Sequence, residues 1–284
     1  MAALGVAVLA VSTSAILVRY SRAPSLVKAF YRVLFTAGLL APVAVWHYRT
    51  AILGLSRRHV LAAAATGIAL AVHFAAWFES LEWTSVAASV TLVQSQPLFV
   101  ATGAFLLLGE RLTRRLVVGI LVAVAGMAAM TLPGAAATGA NPPLGNALAV
   151  GGAVMAAAYV LAGRSLRQEI ALVPYVTVVY AACAASLLAM AVADGAAVWL
   201  GAYPPREWLL FLAMAVGPGI LGHTLINWAL EHVESSVVSV TLLGEPVGST
   251  VLAALLLGER PGPWTLLGGA VVIAGIYLAV TSRG

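Results

Sequence analysis

Ten apolar runs follow one another along the chain, at residues 3–20, 26–46, 59–80, 84–107, 113–132, 144–163, 171–193, 208–230, 235–257 and 264–281. Short stretches of Arg, Pro, Gly and Asn separate them. Each run has about the 20 residues that a helix needs to cross a hydrocarbon layer of ~30 Å. Only 9% of the residues are Asp, Glu, Lys or Arg and 62% are hydrophobic, with a mean hydropathy of +1.01. A soluble domain carries roughly 25% charged residues, so water could not wet this surface. A soluble enzyme, a secreted disulfide scaffold and a disordered chain are all excluded. The expectation is an all-α integral membrane protein of ten transmembrane helices, with no room for a soluble domain.

The net charge of +5 is no sign of nucleic acid, because the basic residues are scattered between the runs and not gathered on one face. Cys183 stands alone within an apolar run and has no internal disulfide partner. No charged stretch precedes Leu4–Val18, which reads as a retained helix. Trp46, Trp83, Trp199, Trp208 and Trp264 fall at run ends, where interfacial anchors belong. With the N-terminus inside, nine Lys and Arg lie between runs or at their ends on the inner side and five on the outer side, Arg32 standing deeper within the second run. The bias places both termini in the cytoplasm.

The chain also repeats itself. Ser89-Val90-Thr91-Leu92 recurs as Ser239-Val240-Thr241-Leu242, and Leu106-Leu107-Leu108-Gly109-Glu110-Arg111 as Leu255-Leu256-Leu257-Gly258-Glu259-Arg260. His73 answers to His223 at a separation of 150, Pro97 to Pro246 at 149, and Gly119 and Gly126 to Gly268 and Gly275. The unit spans five runs, an odd number, so the second copy must be inverted relative to the first. Two such halves, 1–132 and 143–284 joined by an outer loop at 133–142, are the architecture of secondary transporters, whose substrate sits near the midplane between repeats.

These features together resemble the drug/metabolite transporter superfamily, in its ten-helix EamA-type branch. The resemblance covers about residues 3–281. It rests on Ala15-Ile16-Leu17-Val18-Arg19-Tyr20 ending the first helix, Pro24 followed by Phe30-Tyr31-Arg32 in the second, the two Leu-Gly-Glu-Arg segments and the Gly-rich fifth and tenth helices. Within the branch the chain also resembles the YddG-like amino-acid exporters. The resemblance implies export of small metabolites from the cytoplasm across a bacterial inner membrane.

Polar groups inside hydrocarbon are costly, so each needs a role or a partner. Glu245 lies about ten residues into the ninth run and precedes Pro246, which removes a backbone donor and disturbs the carbonyl of Leu242. A carboxylate beside freed backbone takes a proton, binds an ammonium group, or serves as a hydrogen-bonded structural group. Gln96-Pro97 matches it in the fourth run, with Gln94 nearby; amides both donate and accept, which suits a zwitterion or a helix-to-helix bond. His73 and Trp77 share a helix face at a spacing of four, and His223 and Asn227 repeat the spacing. Inversion puts the two pairs toward opposite ends of one pathway, unless they only pack helices. Tyr159, Tyr175, Tyr180 and Trp228 offer aromatic walls or ordinary packing. Ser12, Thr13 and Ser14 either face a cavity or bond back to their own helix. Arg32 either pairs with a substrate carboxylate or, given its shallow depth, snorkels to the outer interface. The paired glycines mark the fifth and tenth helices as packing elements, within the chain or between two copies.

No Gly-Lys-Ser/Thr phosphate loop, His-Glu-x-x-His or Gly-x-Ser-x-Gly is present, so neither ATP drive nor an enzyme is expected. No cofactor and no metal site is expected, since no third ligand follows either histidine at useful spacing. The expected protein is a secondary transporter, monomer or homodimer in the lipid, that exports amino acids, aromatic ones included, by alternating access. Proton coupling through Glu245 and facilitated diffusion both stay open. Exchange of phosphorylated or nucleotide-linked sugars, which calls for deep cations, and a non-transporting scaffold are the rival readings.

Overall fold

The computed structural model describes residues 2–84, 86–131, 140–257 and 261–281. Most of the expected 133–142 connection, and Glu259, Arg260 and Arg283, lie outside the described residues. The helices are α1 (Ala2–Tyr20), α2 (Ser25–His47), α3 (Arg49–Leu53), α4 (Arg57–Trp83), α5 (Val86–Val93), α6 (Gln96–Leu108) and α7 (Arg114–Thr131), then α8 (Pro142–Leu166) and α9 (Leu172–Ala193). They continue with α10 (Pro205–Met214), α11 (Leu225–His232), α12 (Ser235–Thr241), α13 (Gly244–Leu257) and α14 (Pro263–Val280).

Eight helical segments among the described residues are long and apolar enough to span a membrane. This is a multi-pass membrane protein. The two other expected spans, α1 and α7, are helical throughout. Three irregularities modify the expected runs. The fourth run is broken at Gln94–Ser95 into α5 and α6, and the ninth at Leu242–Leu243 into α12 and α13. Between α10 and α11 the eighth run underwinds into a π-helical stretch, Ala215–Thr224, around Pro218. Proline cannot donate to the ladder, and the wider turn absorbs the mismatch. Thr36 Oγ1 sits 3.2 Å from the Ala215 carbonyl in this stretch, a bond from a neighbouring helix of the kind that makes irregular backbone tolerable at membrane depth.

Packing follows a pattern. α4 lies on α8 and α9, α2 on α9, α7 on α14, α6 on α8, and α1 on both the π-helical stretch and α13. Advancing every partner by the 149–150 residues of the repeat turns α4–α8 into the contact of the eighth run with α1, and α6–α8 into α13–α1. The α2–α9 and α7–α14 pairs map onto themselves.

Lipid contact is visible in the exposed apolar residues Leu106, Leu107, Leu255 and Leu256, and Trp46, Trp199 and Trp264 stand out from the ends of their helices. Trp208 differs from the expected anchor. It sits edge-on to Tyr31 and Phe211 at ring separations of 4.8 and 5.5 Å, because the helix start that carries it is folded against α2.

The glycine pairs of α7 and α14 face each other. A Cβ on Gly126 would come 2.7 Å from Val272 N, and one on Gly275 would come 2.4 Å from Ala123 N. Backbone therefore touches backbone along a seam inside the chain, and these glycines are not available to a second copy. Gly275→Leu and Gly126→Leu are expected to cost on the order of 1–3 kcal/mol through overpacking, read as a lowered unfolding midpoint in detergent. Gly151→Ala, where a Cβ meets nothing within 4 Å, is the control and does not lower the midpoint, since Ala in a free helix interior is favoured over Gly.

Candidate functional site

The helix breaks and the π-helical stretch converge. A central cavity of about 80 Å3 is lined by Val11 and Ser14 of α1, Arg32 of α2, His73, Phe74 and Trp77 of α4, Val93, Gln94 and Gln96 at the first break, His223 and Ile226 of the eighth run, and Leu242 and Glu245 at the second break. That space accommodates a handful of water molecules. It is smaller than the roughly 300 Å3 at which sites for drug-sized ligands begin, so a larger substrate requires the helices to move apart.

The two breaks are built alike. The Ser95 N–H reaches back to Leu92 O at 3.1 Å and the Leu98 N–H to Ser95 O at 3.0 Å. At the other break the Leu243 N–H bonds Val240 O at 3.1 Å and the Glu245 N–H bonds Leu242 O at 2.9 Å. Each break leaves the N-terminus of a half-helix, α6 or α13, beside the cavity. Such ends carry partial positive charge. Gln94 and Glu245 line the hollow together. Ser12 anchors the second break to α1, its hydroxyl donating to Val8 O at 2.7 Å and lying 3.2 Å from Glu245 O.

The two histidines share one hollow and do not sit at opposite ends of a pathway. Phe74 lies between them, 5.1 Å from the His73 ring and 5.7 Å from that of His223. The reason is that α4 and the π-helical stretch each contribute a histidine to the same wall. His73 Nδ1 is 2.9 Å from Gly152 O on α8, and the His73 and Trp77 rings lie 6.0 Å apart and near parallel. Two polar atoms of the cavity wall, Trp77 Nε1 and His223 Nδ1, are buried without a hydrogen-bond partner. Orphaned groups of this kind call for water or ligand.

Asn227 and Tyr159 do not line the hollow. Asn227 is fully buried and donates to Tyr159 Oη at 2.6 Å and to His223 O at 2.8 Å. Behind them Tyr180 Oη meets Thr224 Oγ1 at 3.1 Å. This layer fixes the position of His223 from outside the cavity. Tyr175 and Tyr180 are buried in the core, while Trp228 is half-exposed against His232 at a ring separation of 4.5 Å. Ser12 and Thr13 bond back to α1, whereas Ser14 faces the cavity.

Arg32 overturns the snorkelling expectation. It is 4% exposed, donates from Nη1 to Ser14 Oγ at 3.2 Å and stands 4.9 Å over the Phe74 ring. Counting residues from the start of the run gives depth along the axis, but not that this face of α2 turns toward α1 and α4.

Polar ties close both ends of the bundle. At one end the Glu207 carboxylate accepts from the Ser21 hydroxyl at 2.5 Å and the Arg22 N–H at 3.0 Å. At the other, Gly109 at φ +66 turns the chain out of α6, and Glu110 caps α12. The Ser235 N–H and hydroxyl each donate to Glu110 Oε1 at 2.9 Å, and the Ser236 hydroxyl donates to Oε2 at 3.1 Å. Arg164 pairs with Glu110 at 3.6 Å, and Arg167 with Glu231. The repeated Leu-Gly-Glu segment thus has a structural use at its first copy.

Known proteins resemble this chain over most of its length. The sequence model of the EamA-like transporter family matches residues 1–132 and 143–281. An uncharacterized transporter of Archaeoglobus fulgidus is 24% identical over 90% of this chain and 87% of its own length. A protein of Pseudomonas aeruginosa named pseudopaline exporter CntI is 28% identical over 83% of this chain and 81% of its own. A crystal structure at 21% identity superposes with a TM-score of 0.83, covering 98% of this chain and 94% of the other.

Cys183 is fully buried, so the native protein provides a dark background for thiol labelling. Cysteines placed at Gln96 and His73 are expected to react with a small water-soluble thiol reagent at least about tenfold faster than one at Asn227, since thiol reactivity follows access. Equal rates at all three would contradict the cavity boundary.

Proposed function

The chain belongs to the EamA-like transporter family, and on that premise we propose that it is a secondary carrier exporting small organic metabolites, amino acids with aromatic ones among them, by alternating access. The observation that carries the reading is the polar hollow at the two helix breaks, which brings Gln94, Gln96, Glu245, His73, Trp77 and His223 to one place. The positive ends of the two half-helices and the amides suit a substrate carboxylate, and Glu245 suits an ammonium group. The Trp77 and Phe74 rings give an aromatic side chain a surface to lie against. The name of the Pseudomonas aeruginosa relative favours export as the direction.

The two halves of the carrier are residues 1–132 and 143–284, five helices each and mutually inverted. Two separate family matches over these same stretches and the exchange of helix contacts under the repeat support this division. Rocking of one half against the other opens the hollow alternately to either side, which requires the Glu207 and Glu110 ties to loosen in turn. Both termini lie in the cytoplasm and the membrane is the bacterial inner membrane. A single copy suffices, since one chain encloses the hollow.

Exchange of phosphorylated sugars gains one favourable observation, the depth of Arg32. Glu245 on the same hollow disfavours it, because a phosphate dianion would face a carboxylate.

The test is uptake of labelled amino acids into liposomes holding the purified protein, with and without a pH difference. Saturable flux is expected for at least one amino acid, stimulated by the gradient. Glu245→Gln is expected to lose the stimulation by the gradient and to lower the remaining flux as well, since the ammonium partner is lost with the carboxylate. Gradient-independent flux that Glu245→Gln leaves unchanged would remove proton coupling and keep transport. Flux of phosphate esters alone would replace the substrate class.

A further inference from the structure

We infer that Arg32 is the carboxylate-binding group of the cavity, set against Glu245 so that the site selects substrates carrying a carboxylate and an ammonium group together. The inference rests on the carrier reading above and names the residue that would make it selective.

Arg32 has five N–H donors and gives one of them to Ser14. Phe74 covers the guanidinium carbon, and the side chain is 4% exposed while lining the hollow. A buried guanidinium with so few partners is expensive, the more so within a membrane. Glu245 lines the same hollow, yet among the described residues no ion pair joins the two. Opposite charges held apart across a small polar space form a bipolar receptor. An α-amino acid, whose carboxylate and ammonium group flank one carbon, offers a partner to each once the helices move apart to admit it.

The other groups around the gap agree with this polarity. Gln94 lines the hollow with Glu245, and Ser14 stays beside Arg32 as a second donor or acceptor. His73 and His223 flank Phe74 in the wall. A simple amine would leave Arg32 buried and unpaired, and a simple acid would leave Glu245 so. Either loss is costly because the partner stays desolvated. Guanidinium also offers a carboxylate two parallel bonds, which ammonium does not.

The experiment is calorimetric titration of the purified protein in lipid nanodiscs. The standard amino acids are tested first, then the tightest of them beside its α-amide, its deaminated acid and its decarboxylated amine. Wild type is expected to bind the amino acid about ten- to a hundredfold tighter than any of the three analogues. In Arg32→Gln the amino acid falls to the affinity of its amide, while the amide is unaffected. Arg32→Lys keeps a cation and retains a reduced preference for acid over amide, so this variant and the wild-type series decide the matter if Arg32→Gln does not fold. Equal binding of acid and amide to wild type overturns the inference, as does undiminished amino-acid binding by folded Arg32→Gln, and both leave the carrier reading standing. Binding of phosphate esters but of no amino acid overturns the inference and the amino-acid reading together.

Discussion

Backbone hydrogen bonding in a medium without water is the constraint on which this architecture rests. Each unpaired N–H or C=O in hydrocarbon costs several kcal/mol, so spanning segments are helices and every interruption needs a protein or cavity partner. The three interruptions seen, at Gln94–Ser95, at Leu242–Leu243 and over Ala215–Thr224, all meet at the same hollow. Each is supported from outside its own helix or by a local turn. Thr36 lies against the Ala215 carbonyl, Ser12 against that of Glu245, and the two breaks close with short bonds to carbonyls three residues back. Irregular backbone and polar cavity are thus two aspects of one solution.

Around the hollow the side chains form two layers with different duties. Arg32, Glu245, Gln94, Gln96 and the two histidines face inward. Asn227, Tyr159, Tyr180 and Thr224 stand behind, hydrogen-bonded to one another. The outer layer uses the Asn227 Nδ2 and the Tyr159, Tyr180 and Thr224 hydroxyls to hold His223 and the π-helical stretch, and leaves Asn227 Oδ1 without a partner. The inner layer leaves polar atoms without protein partners, among them Trp77 Nε1 and His223 Nδ1. What separates site from scaffold is access to the hollow, since both layers are rich in aromatic and amide groups and each keeps an unpartnered polar atom.

Much of this was legible in the chain. Gln96-Pro97 and Glu245-Pro246 mark the two breaks, because a proline preceded by a polar residue inside an apolar run has little other reason to persist there. The spacing of His73 from Trp77 identified a lining face. The same spacing of four misled for His223 and Asn227: a π-helical turn advances differently from an α-helical one, so only the histidine reaches the hollow. Arg32 was harder still. An arginine two turns into a run looks close enough to the interface to snorkel, and the run does not say which neighbour covers it. Ser14, one helix earlier, is the signal that was present, but a lone serine in an apolar helix more often bonds its own backbone. The glycines of α7 and α14 announced close packing without naming the partner, which is each other.

The sequence by itself determined that the protein lives in a membrane, how its spans are divided, and that its halves are related by a repeat, because these follow from local hydrophobicity and from identity along the chain. It also marked which spans carry the expensive polar groups. The tertiary structure alone decided which of those groups share a cavity, that both histidines do, that Asn227 and Tyr159 stand behind it, and that Arg32 faces Glu245 with no ion pair between them. The physical reason is that burial in lipid is a property of single helices, whereas the direction in which a side chain points is fixed only when helices from both halves pack together.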